Sequence, residues 1–373
     1  MNRYTYKPQI FQKIGNCFVT DCFDHLPKAL ESLKIENKRV LLIHEKRYGG
    51  IYLKQIEEIL TEIAKTCDSI DLNEKVTDFN LLAAQVQEKA TKIGMEKDDL
   101  VISIGGWIAD SAAKVFIEEY LPESHYLKIP MTLIGQVLST ERGDSQVNMN
   151  LYDAPDIVVT MNAVSGDVPA MVQRVDPDLV YINIEAYKYL EETERICGLG
   201  EILRASAGGD ASLFQYMESY PGKKADNILD FLLNSIMNTL QVNKKGAEKG
   251  AIKTKYGYPV ALGIEKCTNY IIPHGQAVGI GMVVANNISS KRGLLKESET
   301  FRLAKVMVSY GLSVVMNFTN DLIDAICQAM IDLNLVTEDG RFEEFELIDK
   351  IGRRIVVNDV TLDEIRTAMF YRK

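Results

Sequence analysis

The sequence is poor in histidine, with four in 373 residues, and it contains no long run of basic residues. Its formal net charge is −10, whereas a surface that binds nucleic acid or an anionic membrane needs clustered lysine and arginine. No stretch approaches the roughly 20 consecutive apolar residues of a membrane-spanning helix. We therefore predict no nucleic-acid partner and no membrane partner, and we expect small molecules or other proteins instead.

Disulfide frameworks and secretion signals are missing as well. The six cysteines are scattered through the chain, with no Cys-x-x-Cys pair and no short spacing typical of disulfides. Residues 1–12 are polar and aromatic and lack the apolar core of a signal peptide. These absences predict reduced thiols and a cytoplasmic location.

What the sequence does contain is an alternation of buried strands and amphipathic helices. Residues 40–44 and 100–104 are continuous β-type apolar runs, which are typical of parallel strands buried on both faces. Helical periodicity predicts helices over 51–63, 80–93 and 108–120. This order indicates an α/β fold with a nucleotide-binding plan.

The pattern changes about halfway along the chain. Further strands are predicted at 126–129, 156–160 and 179–183, and the remainder is helical in its periodicity. With about 150 residues per domain as a guide, we predict a Rossmann-like α/β domain over 1–185 and an all-helical domain over 186–373. The helices predicted in the second domain cover 187–204, 225–243, 275–292, 298–310, 319–333 and 361–371.

Residues 139–178 are the least regular segment and are rich in asparagine, aspartate, glycine and proline. We expect them to form a long connection within the first domain. Long ordered loops in compact domains are more often functional than not, and disorder is the alternative interpretation.

Gly105-Gly106 lies directly between a predicted strand and a predicted helix. Backbone N–H groups and the helix dipole make such a turn an anion site, which would suit a diphosphate. The alternative is a tight turn that needs glycine only for steric reasons. Asp110, one turn into the helix, would accept a hydrogen bond from a ribose or would lie in solvent.

Among the four histidines, only His274 has a suggestive setting, in Pro-His-Gly-Gln-Ala-Val at the start of a predicted helix. Glu201 lies in an otherwise apolar helical stretch and is the best carboxylate to pair with it. A lone histidine is more often structural than a ligand, and a helical glutamate is usually solvated. These two interpretations stay open from the residues alone.

Segments that carry these residues, in the same order along the chain, resemble the sugar-phosphate cyclases. This family includes 3-dehydroquinate synthase and 2-deoxy-scyllo-inosose synthase, and the resemblance covers about residues 35–373. The segments resemble the family's glycine-rich NAD loop, its Pro-Thr-Thr segment, its metal-glutamate helix and its His-Gly-Glu-Ala-Val signature. In this chain they are Leu100–Asp110, Ile129–Leu133, Gly200–Arg204 and His274–Met282.

The resemblance implies a dehydroquinate synthase-like fold, with an NAD-binding domain joined to a helical metal-binding domain. It implies Glu201 and His274 as catalytic residues and as ligands of zinc or cobalt, and Arg204 as the catalytic anchor for an anionic substrate group. Relatives are commonly dimers, so we expect a homodimer or a heteromer with a paralogue. The residues implied in NAD binding are Gly105, Gly106, Asp110 and Thr132.

The family's metal site is incomplete in this sequence. Its His-x-x-x-His pair, one member of which binds the metal, has no counterpart in Tyr258–Glu265. A catalytic zinc site usually has three protein ligands, and only Glu201 and His274 match. A third ligand would have to be a recruit such as Tyr258, Glu265 or a carboxylate from the 139–178 loop. We therefore predict substoichiometric zinc or cobalt.

The residues that capture phosphate in the family are also altered. Leu138 stands at the family's substrate aspartate, Asp144 at the lysine that follows it, and Arg204 at the lysine after the metal glutamate. Phosphate capture needs several lysine or arginine groups. We expect a carbohydrate-like substrate that is unphosphorylated or differently charged.

Three functions remain open. The first is an NAD-dependent cyclase, a carbon–oxygen lyase acting on a sugar-derived substrate in a remodelled, metal-poor active site. The second is a catalytically degenerate relative that serves as a structural or regulatory partner of an active paralogue. The third, a polyol dehydrogenase, would suffer from the same missing ligands.

Overall fold

The computed structural model of the protein describes residues 10–72, 79–139, 145–146, 172–173, 175–220, 228–248 and 256–370. The described residues divide into two compact units, one ending at Leu190 and the other beginning at Glu191. A division by compactness does not test independent folding, so the domain boundary at 185/186 stays a prediction. The strand expected at 156–160 lies outside the described residues.

The first unit is built on a seven-stranded sheet. Its outermost pair is an antiparallel hairpin at one edge, and all other neighbouring strands in the sheet run parallel. The strands are β1 (Phe11–Ile14), β2 (Cys17–Thr20), β3 (Arg39–Glu45), β4 (Thr66–Leu72), β5 (Leu100–Gly105), β6 (His125–Pro130) and, after the short pair β7 (Ser145–Gln146) and β8 (Val172–Gln173), β9 (Leu179–Asn183). The order across the sheet is β1-β2-β9-β6-β5-β3-β4.

Apolar runs form the centre of this sheet. Leu41, Leu42, Val101 and Ile102 have no exposed surface, because helices cover both faces of a parallel sheet. The strands predicted at 40–44, 100–104, 126–129 and 179–183 are confirmed as β3, β5, β6 and β9. Strand β4 was not predicted, since its sequence Thr-Cys-Asp-Ser-Ile-Asp-Leu is half polar and lies at the sheet edge.

Helices connect the parallel strands of the first unit. The most important for the site is α5, which starts directly after β5 at the glycine turn. The helices are α1 (Leu26–Leu30), α2 (Lys46–Tyr48), α3 (Lys54–Ile63), α4 (Phe79–Ile93), α5 (Trp107–Tyr120) and α6 (Leu133–Val137).

The second unit is helical, as predicted, apart from one antiparallel hairpin. That hairpin, β10 (Phe345–Lys350) with β11 (Arg353–Val357), was not predicted, although Phe345 and Leu347 are fully buried. None of the helices in the described ranges has the length and apolarity needed to cross a membrane. The helices are α7 (Glu192–Gly209), α8 (Ala211–Ser219), α9 (Ile228–Glu248), α10 (Tyr258–Cys267), α11 (His274–Lys291), α12 (Glu297–Ser309), α13 (Asn320–Asp332) and α14 (Leu362–Phe370).

Candidate active site

The predicted anion site lies at the turn from β5 into α5. The backbone N–H groups of Gly106 and Ala109 both donate to one oxygen, Oε1 of Glu45, at 2.9 and 3.0 Å. Glu45 is the last residue of β3, which pairs with β5 in parallel, so its carboxylate reaches the neighbouring turn. This buried carboxylate occupies the position at which a helix N-terminus binds an anion.

Whether the turn fits the diphosphate of NAD depends on Glu45. Two N–H groups that converge on one oxygen suit an anion, and a Cβ at Gly105 would lie only 2.6 Å from Glu45 Oε1. A diphosphate can use the same donors only after the carboxylate has left them. Glu45 was not predicted from the sequence, although an acidic residue directly after the apolar run 40–44 was a signal.

Asp110, predicted as a ribose acceptor, is surrounded by partners from its own unit. Its Oδ1 accepts a hydrogen bond from the Tyr126 hydroxyl at 2.6 Å, and Oδ2 lies 3.1 Å from the ammonium groups of Lys114 and Lys128. Burial opposes ionisation, but the two lysines outweigh it and hold the pKa of Asp110 well below its usual range. A ribose would compete with these contacts, so the cofactor role of Asp110 stays a prediction.

Thr132 lies close to the glycine turn. Strand β6 ends at Pro130, which is in register with Gly105, and Met131 N–H donates to the Gly105 carbonyl at 2.8 Å. The Thr132 hydroxyl accepts a hydrogen bond from the N–H of Gly135 at 3.2 Å and thereby caps α6. Thr132 therefore has a structural role here, and its part in cofactor binding stays a prediction.

In the second unit, glycine contacts between α7 and α11 bring the predicted catalytic residues together. A Cβ on Gly275 would lie 2.4 Å from the Cα of Cys197, and one on Gly200 would lie 3.5 Å from the Cα of Gly275. Glycine lets the two backbones approach this closely. The residues adjacent to these glycines, Glu201 after Gly200 and His274 before Gly275, meet with Oε1 and Nε2 3.0 Å apart.

Both carboxylate oxygens of Glu201 have partners. Oε2 accepts hydrogen bonds from Nε and Nη2 of Arg204 at 2.9 and 2.6 Å, and from the Tyr258 hydroxyl at 3.0 Å. Oε1 faces His274. The guanidinium of Arg204 also lies over the Tyr258 ring, 4.2 Å from the ring centroid. The structure thus places Arg204 against Glu201, and its predicted role as an anchor for an anionic substrate group stays a prediction.

His274 lies between two carboxylates. Its Nδ1 is 2.6 Å from Oε1 of Glu265, on the opposite side from Glu201. The other oxygen of Glu265, Oε2, is buried and has no hydrogen-bond partner within the described part of the chain. From the sequence, Glu265 was named only as a possible third metal ligand. Its direct contact with His274 could not be read from helical periodicity.

Burial and charge together set the protonation of this cluster. Burial disfavours an ionised Glu201, but the Arg204 guanidinium and His274 outweigh it and lower the pKa of Glu201 to about 2. Burial also disfavours a charged His274, yet Glu265 and Glu201 raise the pKa of its imidazole above the ordinary value. Burial raises the pKa of the Glu265 carboxyl. Glu201 is therefore ionised, and His274 and Glu265 hold a proton between them.

This arrangement does not fit a divalent metal ion. A metal ion binds a deprotonated ligand, whereas Oε2 of Glu201 already carries the Arg204 guanidinium and both ring nitrogens of His274 face carboxylates that favour its charged form. Within the described ranges, no group of three or more histidine, cysteine, aspartate or glutamate side chains is placed to hold a metal. We therefore assign no step of a reaction to a metal.

The two residues that stand at the family's phosphate contacts, Leu138 and Asp144, are not part of the Glu201–His274 cluster as the structure describes it. Leu138 follows α6 and is partly exposed. Asp144, like most of segment 139–178, lies outside the described residues.

Known proteins similar to this chain are 3-dehydroquinate synthases. Residues 198–333 match the family model of the 3-dehydroquinate synthase C-terminal domain. A 3-dehydroquinate synthase from Streptococcus mutans is 23% identical over 337 residues, which cover 88% of this chain and 89% of that protein. One from Lactococcus lactis subsp. cremoris is 25% identical over 288 residues, covering 74% of this chain and 76% of that protein.

Solved structures share the fold over nearly the whole chain. A 2-epi-5-epi-valiolone synthase from Streptomyces hygroscopicus subsp. jinggangensis, with NAD+ and Zn2+ bound, has a TM-score of 0.72 at 19% identity and covers 98% of both chains. A 2-deoxy-scyllo-inosose synthase, complexed with carbaglucose-6-phosphate, NAD+ and Co2+, has a TM-score of 0.71 at 16% identity. It covers 92% of this chain and 94% of its own.

The fold is therefore dehydroquinate synthase-like, with a Rossmann-like first unit and a helical second unit. The helical unit carries the Glu201–His274 pair inside the segment that matches the family model. The chain is thus similar to sugar-phosphate cyclases in fold over nearly its whole length and in sequence to their 3-dehydroquinate synthase members.

Proposed function

We propose that this protein is an NAD-dependent, sugar-phosphate-cyclase-like protein that cyclises a sugar-derived substrate in a remodelled, metal-poor active site. The observation that carries the proposal is the Glu201–His274 contact of 3.0 Å within a segment that matches the 3-dehydroquinate synthase C-terminal domain. The substrate class is carbohydrate-like, in keeping with the carbaglucose-6-phosphate bound by the related inosose synthase.

NAD would bind at the turn between β5 and α5. Two related structures contain NAD+, and the N–H groups of Gly106 and Ala109 already converge on an anionic oxygen here. Bound NAD would supply hydride-transfer chemistry at a secondary alcohol of the substrate. The contribution of this chain is to release the Glu45 carboxylate from those donors and to offer them to the diphosphate.

The second unit would supply proton transfer. His274 and Glu265 hold a proton in a buried contact of 2.6 Å, and Glu201 links His274 to the hydroxyl of Tyr258. Tyr258 is the only partly exposed member of this described cluster, so a substrate hydroxyl would meet the network at its phenol. General acid–base catalysis requires such a group within hydrogen-bond reach of the reacting proton.

The test combines cofactor binding with product analysis. Isothermal titration should show NAD binding to the purified chain, and mass spectrometry should show loss of water or phosphate from a sugar-derived substrate when NAD is present. Glu201→Gln and His274→Asn should abolish product formation while leaving NAD binding intact. A chain that does not bind NAD at any accessible concentration would overturn the proposal.

A second candidate function is a catalytically degenerate relative that acts as a structural or regulatory partner of an active paralogue. It is favoured by Arg204, whose guanidinium binds the carboxylate that the family uses as a metal ligand. In that case the purified chain forms no product, and co-expression with an active paralogue changes the activity of the paralogue.

Three further aspects of the proposal rest on the sequence and the family. We infer a cytoplasmic protein that assembles as a homodimer or as a heteromer with a paralogue. Its domains would extend over residues 1–185 and 186–373.

A further inference from the structure

We propose that the guanidinium of Arg204 is a built-in cation that replaces a divalent metal at Glu201, so that the catalytic cluster is organised without metal. This inference rests on the proposed function, because it concerns the same site. It goes further by naming the group that supplies the positive charge.

The first support is the geometry of the ion pair. Arg204 lies one helical turn after Glu201 on α7, and its Nε and Nη2 both donate to Oε2, at 2.9 and 2.6 Å. The two side chains are 0–1% exposed. Arginine keeps its charge at any pH at which the protein is folded. The carboxylate therefore has a permanent counter-ion inside the protein.

The second support is that the two cations compete for one carboxylate. A zinc ion would have to lie about 2.0–2.2 Å from a carboxylate oxygen, while Nη2 of Arg204 already lies 2.6 Å from Oε2. The remaining oxygen, Oε1, faces Nε2 of His274 at 3.0 Å. An ion at Oε2 would have to displace the guanidinium, and an ion at Oε1 would have to break the hydrogen bond to His274 and share the carboxylate with Arg204.

The third support is that Arg204 is held in place from the other side. Its guanidinium lies 4.2 Å from the centroid of the Tyr258 ring, and the Tyr258 hydroxyl donates to the same Oε2. A cation over an aromatic face gains further attraction when it is desolvated. Tyr258 therefore stabilises both the arginine and the carboxylate in the paired arrangement.

A matched control exists in the same unit. Arg302 donates from Nε and Nη2 to Glu218 at 2.8 and 2.7 Å and lies 5.3 Å from the centroid of an aromatic ring, that of Phe214. This pair is partly exposed, and its contacts involve neither Glu201 nor His274. Arg302→Met thus removes a similar arginine–glutamate contact without opening the Glu201 site.

The experiment titrates Co2+ into the full-length wild type, Arg204→Met, Arg302→Met and the double variant Glu201→Gln/Arg204→Met. Binding is read from the visible absorption of Co2+ and from the thermal midpoint. Arg204→Met should bind Co2+ roughly tenfold more tightly than the wild type or more, because a buried carboxylate is left without its cation. At a hundredfold excess over the dissociation constant, the midpoint should rise by roughly 5 °C or more.

The controls separate this effect from a general loss of stability. The wild type and Arg302→Met should show no Co2+ response, and the double variant should lose the response of Arg204→Met. If Arg204→Met does not fold, Arg204→Gln, which keeps a polar side chain but no charge, is titrated instead. Elemental analysis of the wild type provides a second measurement that needs no variant.

Two results would overturn the inference. One is a tightly held divalent ion in the wild type, one per chain, that Glu201→Gln removes. The other is a folded Arg204→Met or Arg204→Gln that binds Co2+ no better than the wild type. Neither result depends on NAD binding or turnover, so a failure of the proposed function would be recognised separately in the NAD titration.

Discussion

His274 and Glu265 form one of the two shortest contacts of the Glu201–His274 cluster, with Nδ1 and Oε1 2.6 Å apart and both side chains buried. The pKa of each group lies above its ordinary value. For Glu265 the cause is burial, and for His274 the neighbouring carboxylates overcome the opposing effect of burial. The folded chain therefore holds a proton here that the unfolded chain releases near neutral pH.

We predict that this contact makes the protein less stable as the pH rises. A histidine whose folded pKa is above the unfolded one contributes its full stabilisation below about pH 6.5, the unfolded value. The contribution is lost as the pH rises through the folded pKa. Urea unfolding of the wild type from about pH 5.5 to pH 9 should show this decline, and His274→Asn should flatten it. If His274→Asn does not alter the dependence of the unfolding free energy on pH, the proton held between His274 and Glu265 is not the cause of that dependence.

The close approach of α7 and α11 gives a second prediction. In Gly275→Ala the new Cβ would lie 2.4 Å from the backbone Cα of Cys197, so the helices must move apart. We expect a loss of about 2–3 kcal/mol in unfolding free energy, as for an overpacked core. Gly50→Ala is the matched control, since its Cβ meets nothing within 4 Å, and it should change the free energy by less than about 1 kcal/mol. Equal unfolding free energies of the two variants would refute the close approach of α7 and α11.

The Glu45 contact leads to a third prediction, about cofactor binding. Because its carboxylate occupies the N–H groups of Gly106 and Ala109, Glu45→Gln should raise the affinity for NAD by roughly tenfold. Gly106→Val should block NAD, since a branched side chain prevents close approach of the phosphates. Isothermal titration measures both, and Glu57→Gln on α3 is a control for the change in net charge. Weaker NAD binding by Glu45→Gln would mean that the carboxylate helps to hold the cofactor.

Local patterns in the sequence predicted the strands and helices that have a strong period. Strands β3 and β5 are continuous apolar runs, and in the predicted helices of the second unit apolar residues recur about every 3.6 residues. The order of apolar residues is therefore enough to predict which residues of these elements are buried. Strand β4 was not predicted because it is half polar and only partly buried, and the hairpin β10–β11 was not predicted because it interrupts a helical pattern with two short strands that pair with each other.

The same limit applies to the site. Glu201 and His274 could be predicted as a pair because each stands in a recognisable segment, and the structure places them 3.0 Å apart. The contacts that change their chemistry come from side chains whose directions depend on packing. Spacing places Glu201 and Arg204, three residues apart on α7, on one face of the helix, but it does not show that the guanidinium turns back onto the carboxylate. The contact of Glu265 with His274 comes from a different helix, α10, and spacing does not predict it.

The fourth prediction concerns assembly. Relatives of this fold are expected to be dimers, so sedimentation at micromolar concentration should give a mass near twice the 41.9 kDa of one chain. This expectation rests on the family and not on an interface in the structure. A single species with the mass of one chain would count against it. A mass that doubles only when a paralogue is added would favour the heteromer.

The last prediction concerns turnover of the substrates used by known cyclases. We expect the purified chain, supplied with NAD, to convert neither glucose 6-phosphate nor the phosphorylated heptulosonate. The family reaction uses a metal to acidify a hydroxyl, and here Glu201 is neutralised by Arg204 while His274 is held between two carboxylates. Mass spectrometry of the reaction mixture, with and without added Co2+ and with a known 3-dehydroquinate synthase as a positive control, measures this directly. Conversion that is lost on chelation and restored by Co2+ would show that the cluster opens to admit a metal, and the metal-free interpretation would then be wrong. Without conversion, a screen of unphosphorylated sugars with NAD separates the two candidate functions, because only the active cyclase forms a product in the absence of a paralogue.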